Sequence, residues 1–289
     1  MTNAVDLGFC KVGDGHPVLV IAEIGINHNG DLDLCRQIMA AATEAGCGAV
    51  KFQKRTIDLV YSAEELDRPR DSPFGSTNRD LKSGLEFGDD AYDQIAELCT
   101  SLGVAWTASC WDENSVAFIE RYEPPFYKIA SASLTDDNLL RRHRETGRPL
   151  VLSTGMSSLA QIDHAVEILG NESLILMQCT SAYPTIPDEL NLRVIDTLKK
   201  RYGVPVGFSA HDQSLAASVA AVALGACIIE RHVTIDRSMW GSDQAASLEP
   251  KELTELIHDV RLVERSLGDG IKRVYESEIS VCNKLRRIG

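Results

Sequence analysis

Val204–Thr234 reads VPVGFSAHDQSLAASVAAVALGACIIERHVT. Two short apolar runs, VPVGFSAH and CIIERHVT, flank an alanine-rich stretch with room for a helix, so the segment spells strand, helix, strand. Parallel neighbours need such a crossover, and one βαβ unit occupies roughly this length of chain. His211 and His232 close the two runs. Adjacent parallel strands therefore carry both imidazoles to one rim of a sheet, where neutral imidazole is a favoured ligand for a divalent metal.

The same alternation extends through the chain. Strand-like runs start at Val18 (VLVIAEIGI), Ala49 (AVKFQ), Val104 (VAWTASC), Phe126 (FYKIAS), Pro149 (PLVLSTG) and Leu174 (LILMQCTS), and with the two above they make eight. Helical periodicity lies between them. Leu32, Cys35, Ile38, Met39 and Ala42 share a face, as do Ile95, Cys99 and Leu102, and later Leu253, Leu256, Ile257, Val260 and Val263. Eight strands alternating with eight helices predict an α/β fold, a (β/α)8 TIM barrel. A doubly wound open sheet has no place for the eighth unit, and the first turn, GINHNGD, lacks the glycine pattern of a dinucleotide site.

Three regions follow: residues 1–17 as an N-terminal cap or hairpin below the barrel, 18–268 as the barrel, and 269–289 as a tail packed on it. Residues 55–89 are polar, with Pro69 and Pro73 inside them. A connection that long in a compact domain is expected to be functional, here as a lid over the site.

With 289 residues and 44% hydrophobic composition, the chain can bury a substantial core. Its net charge of -13 argues against general binding to nucleic acid or anionic membrane, each of which needs a basic face. The eight cysteines are scattered without a C-x-x-C pair, which fits reduced thiols in a cytoplasmic protein. No signal peptide is read at MTNAVDLGFCKVGDG, and the apolar run from Ala216 is too short to span a bilayer.

Active sites of this fold lie at the C-terminal ends of the strands. Those ends carry Glu23, Asn27 and His28; Lys51 and Gln53; Thr107 and Ser109; Lys128 and Ser131; Ser153 and Thr154; Gln178, Thr180 and Tyr183; Ser209 and His211; Glu230 and His232. Polar groups converging on one buried rim are costly unless a ligand, a metal or mutual hydrogen bonds satisfy them. Lys51 and Lys128 beside Ser109, Ser131 and Ser209 suit a phosphate or carboxylate, although lysines there also pair readily with Glu23 and Glu230. His16, His28, His143, His164 and His258 read as structural histidines, and Arg141–Arg144 as a solvated helix face.

IAEIGINHNGD, KFQ, YKIAS, LSTGMS, QCTSAYPT, GFSAHD, IERHVT and SDQAASLEP, in this order and spacing, resemble the sialic acid synthase family over almost the whole chain. The resemblance implies condensation of phosphoenolpyruvate with an open-chain amino sugar such as N-acetylmannosamine, using a divalent metal, manganese first, with magnesium or cobalt as alternatives. Lys51, Ser109, Lys128, Ser131, Ser153 and Ser209 would then hold phosphoenolpyruvate. His211 and His232 would hold the metal, Glu23 would manage a proton or orient water, and Gln53, Tyr183 and Asp243 would touch the acceptor sugar.

Departures from the family pattern, Ser133, Ala182 and Gln244, are expected on the acceptor side. The family's C-terminal antifreeze-like domain is expected to be missing after LRRIG, which leaves room for a homodimer without defining it. Two other classes stay open: a barrel lyase or aldolase with a Schiff-base lysine at Lys51 or Lys128, and a non-catalytic sugar sensor.

Overall fold

A computed structural model describes residues 4–288. Its strands are β1 (Val5–Asp6), β2 (Lys11–Val12), β3 (Leu19–Gly25), β4 (Ala49–Lys54), β5 (Pro69–Ser72), β6 (Gly75–Thr77), β7 (Ala105–Cys110), β8 (Tyr127–Ile129), β9 (Leu150–Ser153), β10 (Leu174–Cys179), β11 (Val206–Ala210) and β12 (Ile228–His232). The helices are α1 (Leu32–Ala45), α2 (Ile57–Val60), α3 (Ala63–Leu66), α4 (Asn78–Gly84), α5 (Asp89–Leu102), α6 (Glu113–Glu120), α7 (Asp137–Glu145), α8 (Leu159–Leu169), α9 (Val194–Tyr202), α10 (Leu215–Ala223), α11 (Pro250–Leu267) and α12 (Glu276–Leu285).

Eight parallel strands close in the order β10-β11-β12-β3-β4-β7-β8-β9, so the expected TIM barrel is present. The expected strand from Val204 starts two residues later, at Val206. Pro205, lacking an N–H, only offers its carbonyl, to Leu176 N at 3.1 Å. Helices begin and end where local chemistry allows. Asp31 caps α1 by accepting from Asp33 N and Leu34 N, and Gly46 closes the helix in the left-handed region at φ 98°.

The strand pleat divides the core in two. Outward residues such as Val20, Val50, Trp106, Leu152, Leu176 and Phe208 pack with the helices. Inward residues at the lower end, including Leu19, Ile21, Ala49, Val151, Ile175, Met177 and Ile228, form a separate plug with Val5, Leu7 and Val12 of the β1–β2 hairpin. Pairing puts Ile228 level with Leu19, Glu230 with Ile21 and His232 with Glu23. The inward column thus changes from aliphatic to carboxylate to imidazole within one short strand. Residues 1–3 of the expected cap, and residue 289 of the expected tail, lie outside the described residues.

Residues 55–89 are more ordered than a lid loop suggests. They form α2, α3, the antiparallel β5–β6 hairpin and α4, with a capping box between Thr77 and Asp80. Phe74 at the hairpin turn meets Trp240 edge-on at 6.4 Å, and a side-chain carbon at Gly30 would come within 3.2 Å of its ring.

The tail corrects one expectation. Rather than packing on the barrel, α12 buries no residue, and Ile271, Ile279, Leu285 and Ile288 are all exposed. The arginine run on α7 is also only partly solvated. His143 is fully buried, its Nδ1 2.9 Å from Leu139 O and its ring edge-on to Tyr127. A donor bound to the carbonyl four residues earlier lets that imidazole face the sheet. All eight cysteines are free thiols, and among the described residues no helix is long and apolar enough to cross a membrane.

Inside the barrel, β11 passes close to both neighbours at Gly207. A Cβ there would lie 2.8 Å from Ile228 Cβ and Ile228 O, and nearer still to the Met177 sulfur. Overpacking of this kind costs about 1–3 kcal/mol. Gly207→Ala is expected to lower the urea midpoint accordingly with an unchanged slope; an unaltered midpoint would show that the interior yields.

Candidate functional site

The inward side chains at the upper strand ends surround a cavity of about 210 Å³. Glu23, Lys51, Gln53, Ser109, Lys128, Ser131, Ser153, Tyr183, Ser209, His211 and His232 all line it. Asp243 does not; its Oδ2 lies 3.8 Å from His232 Nδ1. His16, His28, His143, His164 and His258 are absent from the lining.

Four buried charges sit at its floor. Lys51 Nζ is 2.7 Å from Glu23 Oε2 and 3.8 Å from Glu230 Oε1, and it donates to Ser109 Oγ at 3.1 Å. Lys128 Nζ donates to Ser153 Oγ at 2.6 Å and lies 3.6 Å from the same Glu230 oxygen. Ser209 Oγ donates to that oxygen at 3.0 Å, and Gln53 Nε2 to Glu23 Oε1 at 2.8 Å. Two ammonium groups thus balance two carboxylates away from water, where an unpaired charge would be severely penalised.

The four groups differ in how firmly they hold protons. Burial works against ionised Glu230, but Lys128 and Lys51 overcome it and hold its pKa at about 2. Burial pushes Glu23 the other way, upward, with Glu230 adding to the rise against the pull of Lys51. Burial would lower Lys51, yet Glu23 and Glu230 keep it above the ordinary lysine value, whereas burial prevails at Lys128 and lowers it. Glu23 is therefore the carboxylate that most readily accepts a proton.

Across the cavity the rings of His211 and His232 lie 5.4 Å apart, with Tyr183 4.1 Å from His211. His211 Nδ1 is 2.8 Å from Thr180 O. A carbonyl only accepts, so Nδ1 carries the hydrogen, and Nε2 is the nitrogen left to bind a metal when the ring is neutral. Burial lowers the pKa of His232 to about 4, with His211 and Lys51 nearby, so its ring is neutral. No group of three or more His, Cys, Asp or Glu able to hold a metal forms among the described residues. The donor set suits an ion with two imidazole ligands and its other positions open.

Trp111 Nε1, Glu230 Oε2 and His232 Nδ1 are buried without a hydrogen-bond partner among the described residues. All three residues line the cavity, so these atoms are open to a bound molecule or water there.

Sequence reasoning missed Cys179, Ser181, Trp111 and Met156, which also line the cavity. Cys179 was legible from the pleat. Gln178, chosen from the strand end, turns outward and donates to Leu190 O at 3.0 Å, so its neighbour points in. Thr107 and Thr154 likewise spend their hydroxyls on backbone carbonyls, Phe126 O at 2.6 Å and Met177 O at 2.9 Å. None of Ser133, Ala182 and Gln244 lines the cavity. Gln244 is fully buried, bonded to Thr234 Oγ1 and 3.4 Å from Asn27 O, which makes it a tie within the loop after β12.

Comparison with known proteins identifies the family and bears out the fold. The NeuB family model matches residues 38–272. The chain is 41% identical over 279 residues to N-acetylneuraminate-9-phosphate synthase of Homo sapiens, covering 95% of this chain and 78% of that one. It is 33% identical over 285 residues to N,N'-diacetyllegionaminic acid synthase of Legionella pneumophila, covering 95% and 80%. A crystal structure of a sialic acid synthetase from Leptospira borgpetersenii in complex with citrate superposes with a TM-score of 0.87 at 31% identity, covering 100% of this chain and 99% of that one.

The buried neutral histidines carry an acid sensitivity. Burial lowers His28 to about 3, His143 to about 4 and His232 to about 4. A depressed pKa contributes stability in full above the unfolded value of 6.5, and that stability is lost as pH falls toward the folded values. His211, whose pKa is raised, acts in the opposite sense. Stability of the metal-free protein is expected to fall between pH 6.5 and 4, by up to about 1.4 kcal/mol per pH unit for each depressed histidine. Urea midpoints across that range should decline less steeply in His143→Phe; equal slopes would refute the assignment.

Proposed function

The chain belongs to the NeuB family, and from that premise we propose that it condenses phosphoenolpyruvate with an N-acylhexosamine-like aldose. The products are a sialic-acid-like 2-keto-3-deoxy sugar acid and phosphate, which makes it a transferase that forms a carbon–carbon bond. The observation that carries the reading is two buried ammonium groups sharing Glu230 and facing two imidazoles 5.4 Å apart across one cavity.

In this reading Lys51 and Lys128, with Ser109, Ser131, Ser153 and Ser209, bind the phosphate and carboxylate of phosphoenolpyruvate. Lysine has three donor hydrogens, so each ammonium can serve its serine and an anion together. His211 and His232 would hold a divalent ion, manganese by preference, and such an ion would supply Lewis-acid polarisation of the sugar aldehyde. Tyr183 and Gln53 orient the sugar so that the phosphoenolpyruvate methylene carbon meets the aldehyde carbon. The new bond joins those carbons, water adds at C2 and gives one proton by way of Glu23 to the former aldehyde oxygen, and the bond from C2 to the phosphate oxygen breaks as the second water proton leaves with phosphate. Glu23, poised by burial to accept a proton and fixed by Gln53 and Lys51, receives the one that the incoming water gives up.

The acceptor follows from carbon count. A nine-carbon product takes three carbons from phosphoenolpyruvate, so position 9 of the product is position 6 of the sugar. The relative at 41% identity is named for a 9-phosphate product. A hexosamine 6-phosphate is accordingly the first acceptor to try beside the free sugar.

The test is phosphate release from phosphoenolpyruvate with manganese and N-acetylmannosamine or its 6-phosphate, the product identified by mass. Lys51→Met and Lys128→Met are each expected to weaken phosphoenolpyruvate use by about 10- to 150-fold, the value of a charged hydrogen bond of ~1.5–3 kcal/mol. His211→Ala or His232→Ala should abolish metal-dependent turnover in a folded barrel. Full activity of the double histidine variant in chelator would reject the metal assignment. Borohydride trapping of a substrate imine would instead favour a Schiff-base lysine, for which Lys128, with its pKa lowered by burial, is the better placed.

A further inference from the structure

Beside the central cavity, under the β5–β6 hairpin, lies a second cavity of about 510 Å³, whose wall includes Asn29, Arg70, Asp71, Lys82, Trp240 and Ser242. We propose that Lys82 and Arg70 form an anion subsite here that receives the terminal phosphate of the acceptor sugar. This rests on the condensation reading above and names the part of the site that selects a phosphorylated acceptor.

Lys82 is partly buried, yet no carboxylate comes within ion-pairing distance of it among the described residues. Its amine lies 4.9 Å over the Tyr61 ring, a contact that holds a cation without neutralising it. Burial and the neighbouring charges of Arg55 and Arg70 depress its pKa, while Asp243 and Glu65 pull weakly the other way from beyond pairing range. Arg70 makes one marginal contact, 3.5 Å to Asn78 Oδ1. Two cations are thus held near one another, with the third, Arg55, committed to Gln53, Glu86 and the Trp111 face. The lysines of the central floor, by contrast, are paired with carboxylates. A partly desolvated cation with two cations nearby and no carboxylate in pairing range is unfavourable until an anion completes it.

Asn29 adds an acceptor. Its amide donates to Trp240 O at 2.7 Å, and its Oδ1 is buried without a partner among the described residues, an acceptor for a hydroxyl of the sugar rather than for the phosphate. The cavity is firmly built, because Phe74 wedges the hairpin against Trp240, and a Cβ at Gly84 would lie 2.8 Å from Phe74 Cβ. It also borders the reacting centre. Residues 240–242 form its wall, and the next residue, Asp243, reaches to 3.8 Å from His232. A sugar with its aldehyde beside the imidazoles therefore runs past Asp243, and its far end meets Lys82 and Arg70.

The experiment compares N-acetylmannosamine with its 6-phosphate in the wild type, Lys82→Met, Arg70→Met and Lys82→Arg. The wild type is expected to use the phosphorylated sugar with the higher kcat/KM. Lys82→Met or Arg70→Met should cut the ratio of phosphorylated to free sugar by about tenfold or more, and Lys82→Arg should restore most of it. Equal ratios in the wild type and both methionine variants overturn the subsite, as does a wild type that prefers the free sugar. Calorimetric binding of the two sugars separates this from the reaction itself. If the wild type condenses neither sugar, the reaction reading fails, but tighter binding of the 6-phosphate that is lost in Lys82→Met still upholds the subsite, and equal binding of both sugars overturns it.

Discussion

A closed ring of eight parallel strands leaves an inward side chain no solvent to retreat to, and every feature of the site follows from that constraint. Below the midline the ring is filled by aliphatic residues and sealed by Val5, Leu7 and Val12. Above it, charge can be tolerated only if it is matched on the spot. Lys51, Lys128, Glu23 and Glu230 meet that condition as a neutral set held together by Ser109, Ser153, Ser209 and Gln53. Because the pleat repeats every two residues, a strand such as β12 passes from Ile228 through Glu230 to His232 along one inward column.

The outward residues of the same strands position the loops that carry the chemistry. Arg231, fully buried between Glu230 and His232 in sequence, points the opposite way. It donates to Ser214 O and Ser218 Oγ, each at 3.0 Å, and to Asp212 O, clamping the turn that follows His211. Asn27 donates to Val233 O at 2.8 Å and Ser247 Oγ at 2.7 Å, and Gln244 ties in Thr234, so the loop after His232 is knitted to the first strand. One strand thus supplies an imidazole on one face and the anchor for its neighbour's loop on the other.

The two neighbouring cavities differ in how their charges are satisfied. On the floor each ammonium has a carboxylate, so an entering dianion meets donors already in place and exchanges partners without uncovering a bare charge. At the hairpin side Lys82 and Arg70 have no such partner among the described residues, and in the proposed subsite an anion from outside the chain would complete the balance. That difference separates a part of the site that binds in every turnover from a part that discriminates among sugars.

Fold class, the eight strands and their polar upper ends were legible in the sequence, because helical and strand periodicity are short-range properties that survive without knowledge of the partner segment. His211 and His232 were legible for the same reason, since one βαβ unit dictates that both reach one rim. Tertiary structure alone decided the rest. Glu230 as common partner of Lys51 and Lys128 joins strands far apart in the chain, and Gln178 facing out while Cys179 faces in depends on a pleat phase that strand-end reasoning did not track. Gln244 was expected on the acceptor side and proves to be a loop tie, because its partners Thr234 and Asn27 come from two different strand ends. The exposure of α12, the burial of His143 and the pairing of Phe74 with Trp240 are also long-range facts. Periodicity says which face of a segment is apolar; only the packed chain says what that face meets.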